Sequence, residues 1–80
     1  MKKSLYTKAQ KALLQALIRA RKEAGFTQQQ LASRLKKPQS FVAKYENGER
    51  RLDLVEILII SRHLKCPPDR IVNDVIAEMD

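Results

Sequence analysis

Cysteine is nearly absent. The one thiol, Cys66, cannot close an internal disulfide, and such sparing use suits a reducing cytoplasm, where the chain is expected to act. No apolar run approaches the roughly 18 residues that span a bilayer, so no membrane association is expected. The basic start, Met1-Lys2-Lys3-Ser4, leads into Leu5-Tyr6-Thr7-Lys8 and not into an apolar signal core, so no export is expected. There is no Gly/Ser or Pro-rich tract, no internal repeat and no low-complexity segment. Chemistry is missing too: no paired carboxylates, no phosphate-cradling glycine loop and no nucleophile motif, so the chain is not expected to be an enzyme. The single histidine, His63, has no metal-ligand companion at useful spacing, and neither a metal nor a cofactor is expected. Cys66 has no evident base beside it and reads as a small, half-buried residue.

What is present is charge and helical periodicity. The chain has 80 residues, room for one domain over 1–80, and 44% of them are apolar. A domain so small buries a modest core and gains from association. The formal net charge is +7, which favours an anionic partner because each Lys or Arg near a phosphate can displace a counterion. The basic residues crowd the span from Lys2 to Arg51, whereas Asp69, Asp74, Glu78 and Asp80 make the C-terminal end acidic.

Five helices and no strand can be read. The first is expected from Lys8 to Ala24, with a Thr7–Gln10 capping box, an inward stripe of Leu14, Leu17, Ile18, Arg21 and Ala24, and Gly25 as its stop. A second capping box, Thr27–Gln30, opens helix two, with Phe26 and Leu31 placed to staple it. Ala32 and Leu35 continue inward, and Pro38 forces a stop by Lys37. Pro38 suits the first turn of helix three, whose inward residues are Val42 and Tyr45 and whose end is Asn47-Gly48. Asp53 and Glu56 cap helix four. Its expected inward face is Leu54, Ile57, Leu58 and Leu64, with Val55, Ile59 and Ile60 as a surplus. Pro67-Pro68 begins helix five, about 68–79, which carries Ile71, Val72, Val75, Ile76 and Met79.

The text RKEAGFTQQQLASRLKKPQSFVAKYENGERRLD, from Arg21 to Asp53, resembles the phage-repressor and Cro family of helix-turn-helix proteins, the XRE family. The leading Gln28, the Ala32 four residues on, the apolar Val42 at the fifteenth place and the Glu46-Asn47-Gly48 that follows occur together in that pattern, and the likeness extends to Leu64. The resemblance implies an all-α, five-helix, lambda-repressor-like DNA-binding domain with its motif at 28–48. It implies a sequence-specific regulator whose third helix enters the major groove of double-stranded DNA. By resemblance Gln39, Ser40 and Lys44 lie at base-reading positions, where Gln can read adenine and Lys guanine. Gln28 and Asn47 lie at backbone-clamping positions, with Lys37, Arg50 and Arg51 as further phosphate candidates. Phe41 could touch a thymine methyl group or pack sideways.

Arg21 sits on an apolar stripe, where a charge needs a partner. The resemblance supplies Glu46. One departure stands out: Lys36 occupies a turn position where the family usually has Gly, so it must take a left-handed backbone or alter the turn. The two-sided apolar pattern of helix five, with the surplus of helix four, suits both core closure and a homodimer interface. The same fold also serves antitoxins, with a toxin as protein partner, restriction–modification controllers and protein-interaction modules that have lost DNA binding. With no room in 80 residues for an inducer domain, control is expected through concentration, dimerisation or a partner.

Overall fold

The computed structural model describes residues 7–79, so Lys2, Lys3 and Asp80, counted in the charge pattern above, lie outside the described residues. Among the described residues there are five helices and no strand: α1 (Lys8–Glu23), α2 (Gln28–Leu35), α3 (Gln39–Glu46), α4 (Leu54–Leu64) and α5 (Pro68–Ile76). One cluster of buried side chains joins them all: Ala16, Leu17 and Ala20 from α1, Leu31 and Ala32 from α2, Val42 and Tyr45 from α3, Ile60 and Leu64 from α4, and Ile71 from α5.

The helix starts follow from side chains that satisfy first-turn amides. Both halves of the capping box form at Thr27–Gln30 and at Asp53–Glu56. At Thr7 only the hydroxyl half forms, accepting from the Gln10 amide. Pro38 falls one place before the first helical residue, at the N-cap, and offers no side-chain cap.

Four helices end in the same way. In α1, Gly25 N donates to Lys22 O and Phe26 N to Arg21 O; in α3, Gly48 N donates to Tyr45 O and Glu49 N to Lys44 O. This paired closure needs a left-handed residue, and Gly25 and Gly48 supply it at φ 82° and 80°. In α2 and α4 the same two bonds form around Lys36 and Lys65, at φ 59° and 55°. The turn inside the helix-turn-helix is therefore the glycine-type turn, made by a lysine.

A side chain in that region costs about 1–2 kcal/mol, offset in part by the ~0.5–1 kcal/mol that glycine loses in backbone entropy. Lys36→Gly is thus expected to raise stability by about 0.5–1 kcal/mol, read as a rise of about 2–8 °C in melting temperature. Lys36→Ala, which keeps a Cβ, is expected to give no gain. Equal melting of all three proteins would contradict the strain.

Two inward faces differ from the sequence expectation. On α1 the small residues Ala16 and Ala20 are buried, while Ile18 is only half-buried and Ala24 exposed. Ala16, Ala20 and Ile71 line one narrow crevice, because α5 lies against α1 and close approach needs small side chains there. Arg19–Asp74 at 3.7 Å and Arg70–Glu23 at 3.5 Å flank that contact. On α4 the core face is Ile57, Ile60, Ser61 and Leu64, with Leu54 and Leu58 exposed. Ser61, which the expected face did not include, is fully buried, and its hydroxyl donates to Ile57 O at 2.9 Å. The hydroxyl thereby hides inside the helix's own hydrogen bonding, and the phase of the face rotates. α5 ends earlier than about 79: helix gives way to a turn after Ile76.

Candidate nucleic-acid interface

The site is built on α3. Val42 and Tyr45 are fully buried and hold its inner side against α1 and α2. The opposite side therefore faces outward. Gln39, Ser40 and Lys44 are exposed there, at spacings that place them on one face. No hydrogen bond or ion pair within the described residues engages their side chains. Ala43 is half-buried at the edge of this face. Tyr45 carries a buried hydroxyl without a partner among the described residues. Burial first, then the neighbouring Glu46 carboxylate, raises its pKa, so the phenol stays neutral.

The end of α3 is fixed by a buried polar network. Arg21 Nε donates to Glu46 Oε2 at 2.8 Å and Nη2 to Oε1 at 3.1 Å, while Nη1 donates to Phe26 O at 2.8 Å. The two side chains are only 10% and 5% exposed. Gln28 Nε2 donates to the same Glu46 Oε1 at 2.9 Å. One carboxylate thus ties α1, the loop before α2, the first residue of α2 and the last of α3 into a single unit. The Gln28–Glu46 bond was not legible from the motif, because nothing in the spacing shows which way a surface Gln turns.

Around the rest of α3 the candidate residues divide. Asn47 is exposed, its amide donating to Glu49 Oε2 at 3.1 Å. Lys37 Nζ lies 5.5 Å from the Phe41 ring centre. Phe41 packs sideways: it is half-buried, edge-on to Tyr45 at 5.5 Å, with the Arg50 guanidinium 4.9 Å from its ring centre. Arg50 is also bound to Glu56, Nη2 to Oε2 at 2.9 Å. The Arg51 side chain is exposed and has no ion pair among the described residues. His63 and Cys66 are half-buried, and no cluster of His, Cys, Asp and Glu able to hold a metal occurs among the described residues.

Residues 17–71 match the helix-turn-helix family. A solved structure, an XRE-family like protein from Pseudomonas syringae pv. tomato str. DC3000, superposes with a TM-score of 0.79 at 44% identity, covering 88% of this chain and 85% of that one. The chain belongs to the XRE family of helix-turn-helix proteins. No curated protein is significantly similar to it.

An XRE helix-turn-helix protein is a DNA-binding transcription regulator, and the family is not one of enzymes. In this XRE chain the motif is α2, the Lys36 turn and α3. No helix among the described residues is long and apolar enough to cross a membrane.

Proposed function

We propose that this XRE-family protein is a sequence-specific regulator that binds double-stranded DNA in the cytoplasm with α3 in the major groove. One observation carries the reading: Gln39, Ser40 and Lys44 are exposed together, with no side-chain hydrogen bond or ion pair among the described residues, on a helix whose other side is locked by Val42, Tyr45 and the Arg21–Glu46–Gln28 network. Side chains on a rigid helix with free donors and acceptors suit base-edge recognition. Gln28, Lys37, Asn47 and Arg51 flank that face and serve the phosphate backbone, fixing orientation without reading sequence. The α2 N-terminus adds its open first-turn amides beside Gln28.

The protein acts as a homodimer. Among the described residues, all seven exposed large apolar side chains lie on two helices and the turn after them: Leu54, Val55, Leu58 and Ile59 on α4, and Val72, Ile76 and Met79 from α5 onward, each between 41% and 65% exposed. Two recognition helices about 34 Å apart would then meet a roughly palindromic operator. Occupancy of that site represses or activates according to its position.

The test separates readers from clamps. Against a panel of duplexes differing at single base pairs, Lys44→Ala is expected to lose discrimination at one position, by about 1–3 kcal/mol. Gln28→Ala is expected to weaken every duplex by a similar factor. Uniform weakening by Lys44→Ala would remove Lys44 from the reading face.

A further inference from the structure

Arg50 lies in the loop between α3 and α4, and its guanidinium is already engaged. Nη1 donates to Arg51 O at 2.9 Å and to Glu56 Oε1 at 3.1 Å, Nη2 donates to Glu56 Oε2 at 2.9 Å, and the group stacks over Phe41. Glu56 is equally committed. Its Oε1 accepts from the Asp53 amide at 2.9 Å, while its own amide donates to Asp53 Oδ1 at 2.8 Å. The hydrogen bonds from Arg50, then that from the Asp53 amide, hold the Glu56 carboxyl below the usual carboxylate range. A continuous set of contacts therefore runs from buried Tyr45 through Phe41 and Arg50 to the first turn of α4. The loop between is folded back as well, since the amides of Glu49 and Arg50 both donate to Lys44 O, at 2.8 and 3.3 Å.

A phosphate needs the same planar fork that the carboxylate occupies. Taking Arg50 onto DNA would leave an unpaired carboxylate beside a polyanion. We propose that Arg50 and Glu56 form a latch that sets α3 against α4, so that both are positioning residues for DNA binding and Arg50 is not a phosphate ligand. This rests on the reading of α3 as the DNA-reading helix. α4 also carries most of the exposed apolar face, so the latch fixes the readers relative to the surface through which two copies meet.

Glu56→Gln separates the alternatives by sign. The capping box survives the change, because Gln30 performs the same capping role in α2. What is lost is the charge and the two-oxygen grip on Arg50. With a latch, Glu56→Gln weakens duplex binding about tenfold, and Arg50→Ala does the same while leaving the slope of log affinity against log salt unchanged. With a phosphate-binding Arg50, Arg50→Ala flattens that slope by about 0.9, and Glu56→Gln tightens binding by removing a negative charge and freeing the guanidinium. Either of these two results, or no change in affinity for both variants, overturns the latch. Thermal melting gives a readout independent of DNA sequence: the double variant should lose less than the sum of the single losses, and strict additivity also overturns the proposal. If the unaltered protein binds all duplexes alike, the base-reading assignment fails, and the latch is still judged on these signs and on the melting cycle.

Discussion

Arg21→Ala is expected to cost about 3–5 kcal/mol, the loss typical when one partner of a buried ion pair is removed. For an 80-residue chain the total stability is on the order of 4–12 kcal/mol, so the variant should melt at least about 12 °C lower or fail to fold. The cost arises at Glu46. Its carboxylate is nearly buried and loses two of its three side-chain donors, keeping only Gln28. Phe26 O loses a donor as well. Replacing both charged residues together, as Arg21→Met with Glu46→Leu, removes the desolvation penalty with the attraction. That double variant should recover most of the lost stability, while Gln28 and the end of α3 lose their common anchor. It is therefore expected to fold and to bind DNA worse than the unaltered protein. An unchanged melting temperature for Arg21→Ala, read by circular dichroism, would contradict the account.

Ile59→Asp is expected to convert the protein to a monomer and to weaken binding to a two-half-site duplex on the order of 100-fold, because two linked half-sites gain by effective concentration. Ile59 is 47% exposed on α4, beside Val55 at 63%, so a charge there should leave the melting of the isolated fold nearly unchanged. The seven large apolar side chains exposed among the described residues, each between 41% and 65% exposed, amount to roughly 600 Å² per chain, at the upper end of what a monomer usually displays and near the roughly 800 Å² per partner that stable interfaces bury. Light scattering at micromolar protein should give twice the chain mass for the unaltered protein and the single-chain mass for the variant. A monomer in both cases would sink the two-fold reading.

Where the sequence could be read, local chemistry explains why. Capping pairs and left-handed glycines act within five residues, so Thr27–Gln30, Asp53–Glu56, Gly25 and Gly48 mark helix limits directly. The burial of Val42, Tyr45 and Ala32 follows from the motif's spacing. The faces of α1 and α4 were harder, because both hold more apolar residues than one side needs. Ala16 and Ala20 are chosen by the close approach of α5, and Ser61 is tolerated inside by its bond to Ile57 O; neither cause is visible without the partner helix. Lys65 gave no signal of its left-handed role because lysine is common at exposed helix ends. In the candidate site, Gln39, Ser40 and Lys44 stand out by their place in the pattern. The direction taken by long side chains did not: Gln28 turns to Glu46 and Arg50 to Glu56, choices settled by which carboxylate lies within reach.

Selection of bound sequences from a random duplex library tests the central claim most directly. The expected result is enrichment of one roughly two-fold-symmetric motif, its half-sites about 34 Å apart, with the preference at one position lost when Lys44→Ala is used in place of the unaltered protein. A library that remains unenriched after repeated rounds, with binding of similar strength to every duplex, would contradict it.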